Sequence, residues 1–483
     1  MTVKGVTPQS EDYSRWYTDV VRMADLADNA PVRGCMIIKP YGYELWEAIQ
    51  AGLDKRFKAT GHKNAYFPLF IPMSFIEKEA KHVEGFAPEL AIVTHGGGKE
   101  LEEPLVVRPT SETVIGHAYA QWIQSYRDLP LLINQWANVV RWEMRPRLFL
   151  RTTEFLWQEG HTAHATAQEA QEETMRMLDI YADFAINEAA IPVIKGRKST
   201  QEKFAGAEKS YTIEAMMGNK WALQSGTSHN LGQNFAKAFD IKFLDENNDL
   251  QYCYTTSWGV STRMVGGIVM AHGDDTGLRL PPRLAPIQVI VVPIWKTDEQ
   301  KTLVMETVAQ IHEKLTTAAV RVHIDSREGL TPGFKFNDWE MRGVPLRMEV
   351  GPKDIEKGSV LLARRDIPGR EGKGSIPMDQ LVPAVTSLLD KVQKDMLSQA
   401  TAFRDANLHK ASSYAELKEI VKEGWALIPH CGTAECEGKI KEETKASSRC
   451  FPLEENKDWT ANGATCPICG KPAIGLAYFA RAY

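Results

Sequence analysis

The sequence predicts an α+β domain built on an antiparallel sheet, then an α/β domain, then a small third α/β unit that carries cysteines. Three observations lead there. Between Ala222 and Gly267 strand-like runs succeed one another without long helices between them, which favours antiparallel pairing. Beyond Pro286 strand-like and helix-like runs alternate, the pattern of a small α/β domain around a mainly parallel sheet. Five of the seven cysteines (Cys431, Cys436, Cys450, Cys466 and Cys469) crowd the C-terminal end, whereas a scattered disulfide framework would spread them.

In chain order, Tyr41 to Thr60 has apolar residues at helical spacing, and GHKNAYFPLFIP then shifts to a short strand ended by Pro68 and Pro72. Pro109, Thr110, Ser111 and Glu112 form a cap-like start before VIGHAYAQWIQSY, read as an amphipathic helix with its polar N-terminus facing outwards. NVVRWEMRPRLFLRTTEFLWQEGHTAH, Asn138 to His164, reads as a strand-loop-strand hairpin dense in charge, and Thr166 to Ala190 is the longest helix candidate. A turn at Asn247 and Asn248 interrupts the later strands. RLPPRLAP, Arg279 to Pro286, marks the clearest boundary, because Pro-Pro fits neither a helix interior nor a central strand. After it come IQVIVVPI, a helix through Met305 and Ile311, VRVHI, a helix near Trp339, PLRMEV, SVLLARR and a helix from Leu381. A chain of 483 residues suggests two to four domains at about 100 to 200 residues each. The expected boundaries are 1–285, 286–398 and 399–483.

Hydrophobic content of 43% is that of a globular protein, and no window approaches ~18 consecutive apolar residues. The N-terminal MTVKGVTPQSEDYSRW lacks the apolar core of a signal peptide, so a cytoplasmic location without membrane contact is expected. A net charge of −5 argues against indiscriminate nucleic-acid binding by the whole molecule while leaving room for local basic patches.

The charged hairpin is the first candidate for chemistry. Arginine carries a planar fork that grips carboxylate or phosphate in two places, so Arg141 and Arg151 read as a clamp on an anionic substrate, with Glu143 between them suited to an amine or a metal. Cys431 and Cys436, with four residues between, and Cys466 and Cys469, in CPICG, form two thiolate pairs about 30 residues apart. That spacing suits one tetrahedral, structural zinc ion. Cys450 lacks a pair and is not expected among the ligands.

TGHKNAYFPLFIP, RWEMRPRLFLRTTEF and TSWGVSTRMVGG resemble the three signature motifs of class II aminoacyl-tRNA synthetases. With PTSE, FLWQEGH and QSGTSHNLGQNF, the chain resembles, nearly end to end, the prolyl-tRNA synthetases of the archaeal and eukaryotic type. The resemblance implies the class II catalytic fold, an anticodon-binding α/β domain and a C-terminal zinc-binding domain. It implies ATP-dependent attachment of L-proline to tRNA(Pro) through prolyl-adenylate, in a homodimer formed through the motif-one region around Pro68. ATP and Mg2+ are implied, with no safe assignment of the magnesium ligands.

For the sites, the resemblance implies Arg141 bridging the proline carboxylate and the α-phosphate, Thr110 and Glu112 receiving the imino group with His229 beside them, and Ser261 as a further proline-binding residue. Trp157, Phe204 and His161 wall the ring; Glu143, Arg151, Thr152, Gln224, Thr227 and Arg263 hold ATP. Glu340, Arg347 and Lys353 are the candidates for anticodon reading. Only about 70 residues separate Glu154 from Gln224, too few for the editing insertion of the bacterial type, so no deacylation of alanyl-tRNA is expected within this chain. Tyr483 is expected to fold back towards the catalytic domain. The rival readings are another class II synthetase of threonyl, histidyl or glycyl type, a catalytically silent tRNA-binding relative, and a zinc hydrolase; four thiolates leave a hydrolytic metal no open position.

Overall fold

The structure is a computed structural model that describes residues 5–82, 90–454 and 460–483. An 11-stranded sheet forms its backbone. Seven of the strands belong to the first unit, in the spatial order Val193–Arg197, Lys209–Met216, Ala222–Gly232, Tyr254–Ser261, Glu154–His164, Leu131–Val140 and Lys63–Asn64. All pair antiparallel except the last, short strand.

The sheet has a closed and an open face. The Ala167–Asn187 helix starts at a capping box, Thr166 with Glu169, and buries Met177, Leu178, Tyr181, Phe184 and Ala185 at the three-to-four spacing of one helical face. Tyr181 meets Trp258 at 6.3 Å, and Phe57 of the Pro40–Ala59 helix meets the same ring at 5.1 Å. Along Glu154–His164 side chains alternate, so Gln158 turns to this helical side, accepting from Tyr181 Oη at 2.7 Å, while Phe155, Trp157, Glu159 and His161 line a cavity on the other face.

Several elements differ from the sequence expectation. Arg263–His272 is a helix, buried along nearly its whole length, because its first half packs Met264, Val265 and Ile268 under the sheet. A second helix, Asn234–Phe239, interrupts the same region, and the turn at Asn247 and Asn248 joins the short hairpin strands Lys242–Leu244 and Leu250–Tyr252. GHKNAYFPLFIP makes two short strands in different sheets, Lys63–Asn64 and Phe70–Pro72. The N-terminus of the Glu112–Trp122 helix faces inwards: Thr110, Ser111, Glu112 and Thr113 are all buried.

In the α/β unit the sheet order is Val322–Ile324, Val289–Pro293, Leu346–Val350, Ser359–Arg364, Lys373–Pro377. The first three strands are parallel and the last two add antiparallel, so the sheet is mixed where a mainly parallel one was expected. The link after Val350 holds only the short Pro352–Glu356 helix and is too short for a parallel crossover, which needs about 10 to 12 residues. One helix, Leu381–Ala406, runs through the boundary placed at 398. The last unit adds its strands Leu408–Lys410, Trp425–His430, Gly475–Ala480 and Ser447–Pro452 to the same 11-stranded sheet, the last pairing with Val193–Arg197. Among the described residues no helix is long and apolar enough to cross a membrane.

Candidate active site

The open face of the sheet holds a cavity of about 480 Å³, the size of a small-molecule site. Eleven of the residues singled out in the sequence line it: Thr110, Glu112, Arg141, Trp157, His161, Phe204, Gln224, Thr227, His229, Ser261 and Arg263. They come from six segments of the chain, brought together by the antiparallel ladder.

Arg141 sits where the Leu131–Val140 strand ends. Its Nε donates to the Pro109 carbonyl at 2.9 Å, and its guanidinium lies over Phe155 at 5.5 Å and Trp157 at 5.4 Å. One edge of the fork is thus fixed and its plane is set by two rings, which spares much of the entropy of orienting it for a ligand. The residue is exposed overall, yet desolvation of the guanidinium against the cavity wall pulls its pKa down, against the attraction of Glu112 and Glu159.

Glu159 is the functional candidate that sequence reasoning passed over. Its Oε1 accepts from Ser111 Oγ and from Gln135 Nε2 at 2.8 Å, and its Oε2 meets His161 Nε2 at 3.1 Å. Burial would raise this carboxyl, yet the bonds from His161, Ser111 and Gln135 outweigh it and hold the group below the usual carboxylate range. His161 is correspondingly held above the usual imidazole range, since Glu159 and Glu112 outweigh its burial. The alternation Phe155, Trp157, Glu159, His161 was the available signal. The Ser111 hydroxyl is drawn into this network and makes no cap bond to its own helix. Thr110 Oγ1 donates to Glu112 Oε2.

At the end walled by Phe204, that ring stacks on His229 with centroids 4.9 Å apart. The Phe204 N–H donates to Ser210 Oγ at 3.0 Å, and the same hydroxyl is hydrogen-bonded to His229 Nδ1 at 2.8 Å. Burial first, then the charges of Lys198 and His161, push the His229 pKa down to about 3, so the ring is neutral. At the opposite end Arg263 donates from Nε to the Leu150 carbonyl at 3.1 Å. Burial, with Arg151 and Arg141 nearby, brings its pKa down to about 10, which still leaves it charged at neutral pH.

Glu143, Arg151 and Thr152 stand apart from the cavity wall, on the loop between the Leu131–Val140 and Glu154–His164 strands. Glu143 pairs with Arg151 at 3.6 Å and accepts from the Arg145 N–H at 2.8 Å, while Thr152 Oγ1 donates to the Glu154 carbonyl at 2.7 Å. Tyr483 folds back onto this side. Its N–H donates to the Ala222 carbonyl at 3.1 Å, and its ring lies 5.2 Å from Trp221 and 5.3 Å from the Arg147 guanidinium.

In the α/β unit Arg347 is buried, paired with Glu340 at 2.6 Å and Glu349 at 3.2 Å, and its guanidinium lies 4.1 Å from the Phe336 ring. Lys353 is exposed on the short helix that follows.

The cysteine pairs converge. Donor atoms of Cys431, Cys436 and Cys466 lie within 4.8 Å of one another and of His430, and Cys469 Sγ is 3.7 Å from Cys431 Sγ. All of these thiols are free, and sulfur donors at this spacing fit a tetrahedral zinc ion. His430, which precedes Cys431 and is fully buried, is a further donor that spacing alone did not suggest. Cys450 lies elsewhere, against Gly196.

Comparison with known proteins finds three family matches along the chain. Residues 93–272 match the tRNA synthetase class II core domain (G, H, P, S and T), residues 288–388 an anticodon binding domain, and residues 414–483 the C-terminal domain of prolyl-tRNA synthetase. The chain is 58% identical to the chloroplastic/mitochondrial proline–tRNA ligase of Arabidopsis thaliana over 99% of its own length and 88% of the relative's. It is 57% identical to the proline–tRNA ligase of Roseiflexus sp. (strain RS-1), with both chains covered completely. With that of Symbiobacterium thermophilum it shares 58% identity, over 100% of this chain and 99% of the other. The chain belongs to the proline–tRNA ligase family.

Proposed function

We propose that the cavity on the open face of the sheet activates L-proline with ATP and passes it to tRNA(Pro) in two steps. The observation that carries this reading is the setting of Arg141, a fixed and ring-stacked fork between a carboxylate-lined end and an arginine-lined end of one cavity.

The imino group of proline is received by Glu112 and Thr110, with Glu159 behind them as a second buried negative charge. Phe204, Trp157, the His161 edge and the neutral His229 wall the pyrrolidine ring, and Ser261 closes the side. ATP enters as its magnesium complex, with Arg263 against the adenine and Gln224 and Thr227 along the nucleotide. Glu143, Arg151 and Thr152 hold ATP from the loop beyond the cavity wall.

Arg141 then holds the proline carboxylate and the α-phosphate together, offsetting the repulsion of two anions at the reacting distance. A carboxylate oxygen bonds to the α-phosphorus as the bond to the bridging oxygen of the β-phosphate breaks, and pyrophosphate leaves. In the second step a hydroxyl of the terminal adenosine of tRNA attacks the activated carbonyl, and AMP departs. Neither step requires a protein nucleophile; positioning and fixed charge supply the gain.

Cys431, Cys436, Cys466 and Cys469 hold a structural zinc ion, with four sulfur donors leaving no place for a reactive water. Glu340, Arg347 and Lys353 contact the anticodon. Two copies associate around Pro68, in whose neighbourhood Tyr66 (72% exposed), Phe70 (47%) and Trp122 (49%) leave large apolar side chains in solvent. The two-step order is tested by mixing the protein with ATP and proline alone: about one equivalent of pyrophosphate is released and prolyl-adenylate stays bound until tRNA is added. Pyrophosphate release that begins only with tRNA overturns it.

A further inference from the structure

The Lys198–Phe204 segment that walls one end of the cavity is gripped from behind by the C-terminal unit. Its preceding strand, Val193–Arg197, pairs on its outer side with Ser447–Pro452, through Phe451 opposite Arg197 and Pro452 opposite Gly196. At Ser448 to Cys450 the register of the C-terminal strand shifts against its neighbour, a bulge that includes Arg449. Bulges re-aim a side chain, and this one accompanies a guanidinium that enters the first unit.

There Arg449 donates to Glu214 Oε2 from both Nε at 3.0 Å and Nη2 at 2.8 Å, while its Nη1 donates to Ser447 Oγ at 3.0 Å. The other oxygen, Glu214 Oε1, accepts from Lys198 Nζ at 3.0 Å and Thr212 Oγ1 at 2.9 Å. Glu214 is completely buried, and Lys198 and Arg449 are 4% and 6% exposed. Two cations therefore share one carboxylate, and the second cation, Lys198, lines the cavity. A further tie lies one residue on, where Ser199 Oγ donates to Glu437 Oε2 of the C-terminal unit at 2.9 Å.

A buried carboxylate shared by two cations is rigid because each oxygen is held by charge-assisted hydrogen bonds in a low dielectric, so moving either cation breaks bonds that water cannot replace. We propose that Arg449 is a positioning residue for the amino-acid end of the active site: through Glu214 it fixes Lys198 at the cavity wall, and with it the segment that carries Phe204. The inference rests on reading that end of the cavity as the proline site. Gln224 and Thr227 lie opposite Glu214 and Thr212 in the strand ladder and are held by main-chain pairing, so a change in the Glu214 side-chain bonds reaches the nucleotide end less directly than it reaches Lys198.

The experiment is steady-state pyrophosphate exchange by the full chain, with KM for proline and for ATP measured separately. Arg449→Met raises KM for proline at least ~10-fold and KM for ATP far less, and Arg449→Lys, which keeps the charge without the fork, recovers part of the loss. Arg449→Met leaves Glu214 with a single cation and can lower stability. Ile440→Ala, which opens a cavity in the fully buried core of the C-terminal unit and leaves the Arg449–Glu214–Lys198 bonds in place, lowers stability as well while both KM values stay near the parent's. A rise of KM for proline in Ile440→Ala as large as that in Arg449→Met shows a merely structural role and overturns the proposal, as does a folded Arg449→Met with KM for proline within twofold of the parent. Absence of proline-dependent exchange in the unaltered chain is a separate outcome: it overturns the reading of the cavity and the proposal with it.

Discussion

Replacing Arg141 by lysine keeps the positive charge and removes only the geometry, so it isolates what the fork does. Lysine has no counterpart of the Nε that donates to the carbonyl of the buried Pro109 at 2.9 Å, and leaving that acceptor unpaired costs about 1 to 3 kcal/mol. A point charge cannot hold two anions by parallel donors, which forfeits a further charge-assisted bond worth about 1.5 to 3 kcal/mol. Stacking over Phe155 and Trp157 is weakened as well, by roughly 0.5 to 1 kcal/mol. Together these reduce kcat/KM by about 10²- to 10⁵-fold, at 1.36 kcal/mol per tenfold. The assay is pyrophosphate exchange with proline and ATP varied in turn, alongside thermal unfolding. A folded Arg141→Lys protein within tenfold of the parent would refute the reasoning, because charge alone would then suffice.

Three further outcomes follow from the same structure. Glu159→Gln removes the charge that pairs with His161; the histidine's raised pKa falls, visible by NMR, and KM for proline rises about 10- to 100-fold. Stability falls as pH drops from about 6.5 towards 4. Burial lowers His164 and His272 to about 4 and His229 to about 3, so these stay neutral in the fold while the unfolded chain takes protons below its ordinary 6.5. The loss is on the order of 3 kcal/mol per pH unit for the three, and denaturant melts at pH 7, 6 and 5 that coincide would contradict it. The purified chain carries one zinc per protomer and Cys466→Ser loses it with a lower unfolding midpoint; full metal content in that variant would remove Cys466 from the ligand set.

What could be read in advance follows from how local each signal is. Arg141, Thr110, Glu112 and Arg263 sit in short motifs whose residue types already state a chemistry, and the cavity gathers them. Glu159 lay in plain view in FLWQEGH but means little without Ser111 and Gln135, which are distant in sequence and adjacent only through strand pairing. Arg263–His272 misled because Gly266, Gly267 and the β-branched residues Val265, Ile268 and Val269 lower helix propensity, and burial against the sheet overrode that preference. The mixed sheet of the α/β unit turned on the length of one connection. The join of Ser447–Pro452 to Val193–Arg197 has no local signature, since the register is set by tertiary docking, and the clamp from Arg449 to Lys198 was hidden for the same reason.

The most direct test of the whole account is amino-acid-dependent pyrophosphate exchange by the unmodified chain, without tRNA, across proline, threonine, histidine and glycine at equal concentration. Exchange with proline and none above background with the other three is expected. Exchange driven by another of these amino acids, with proline silent, would contradict it.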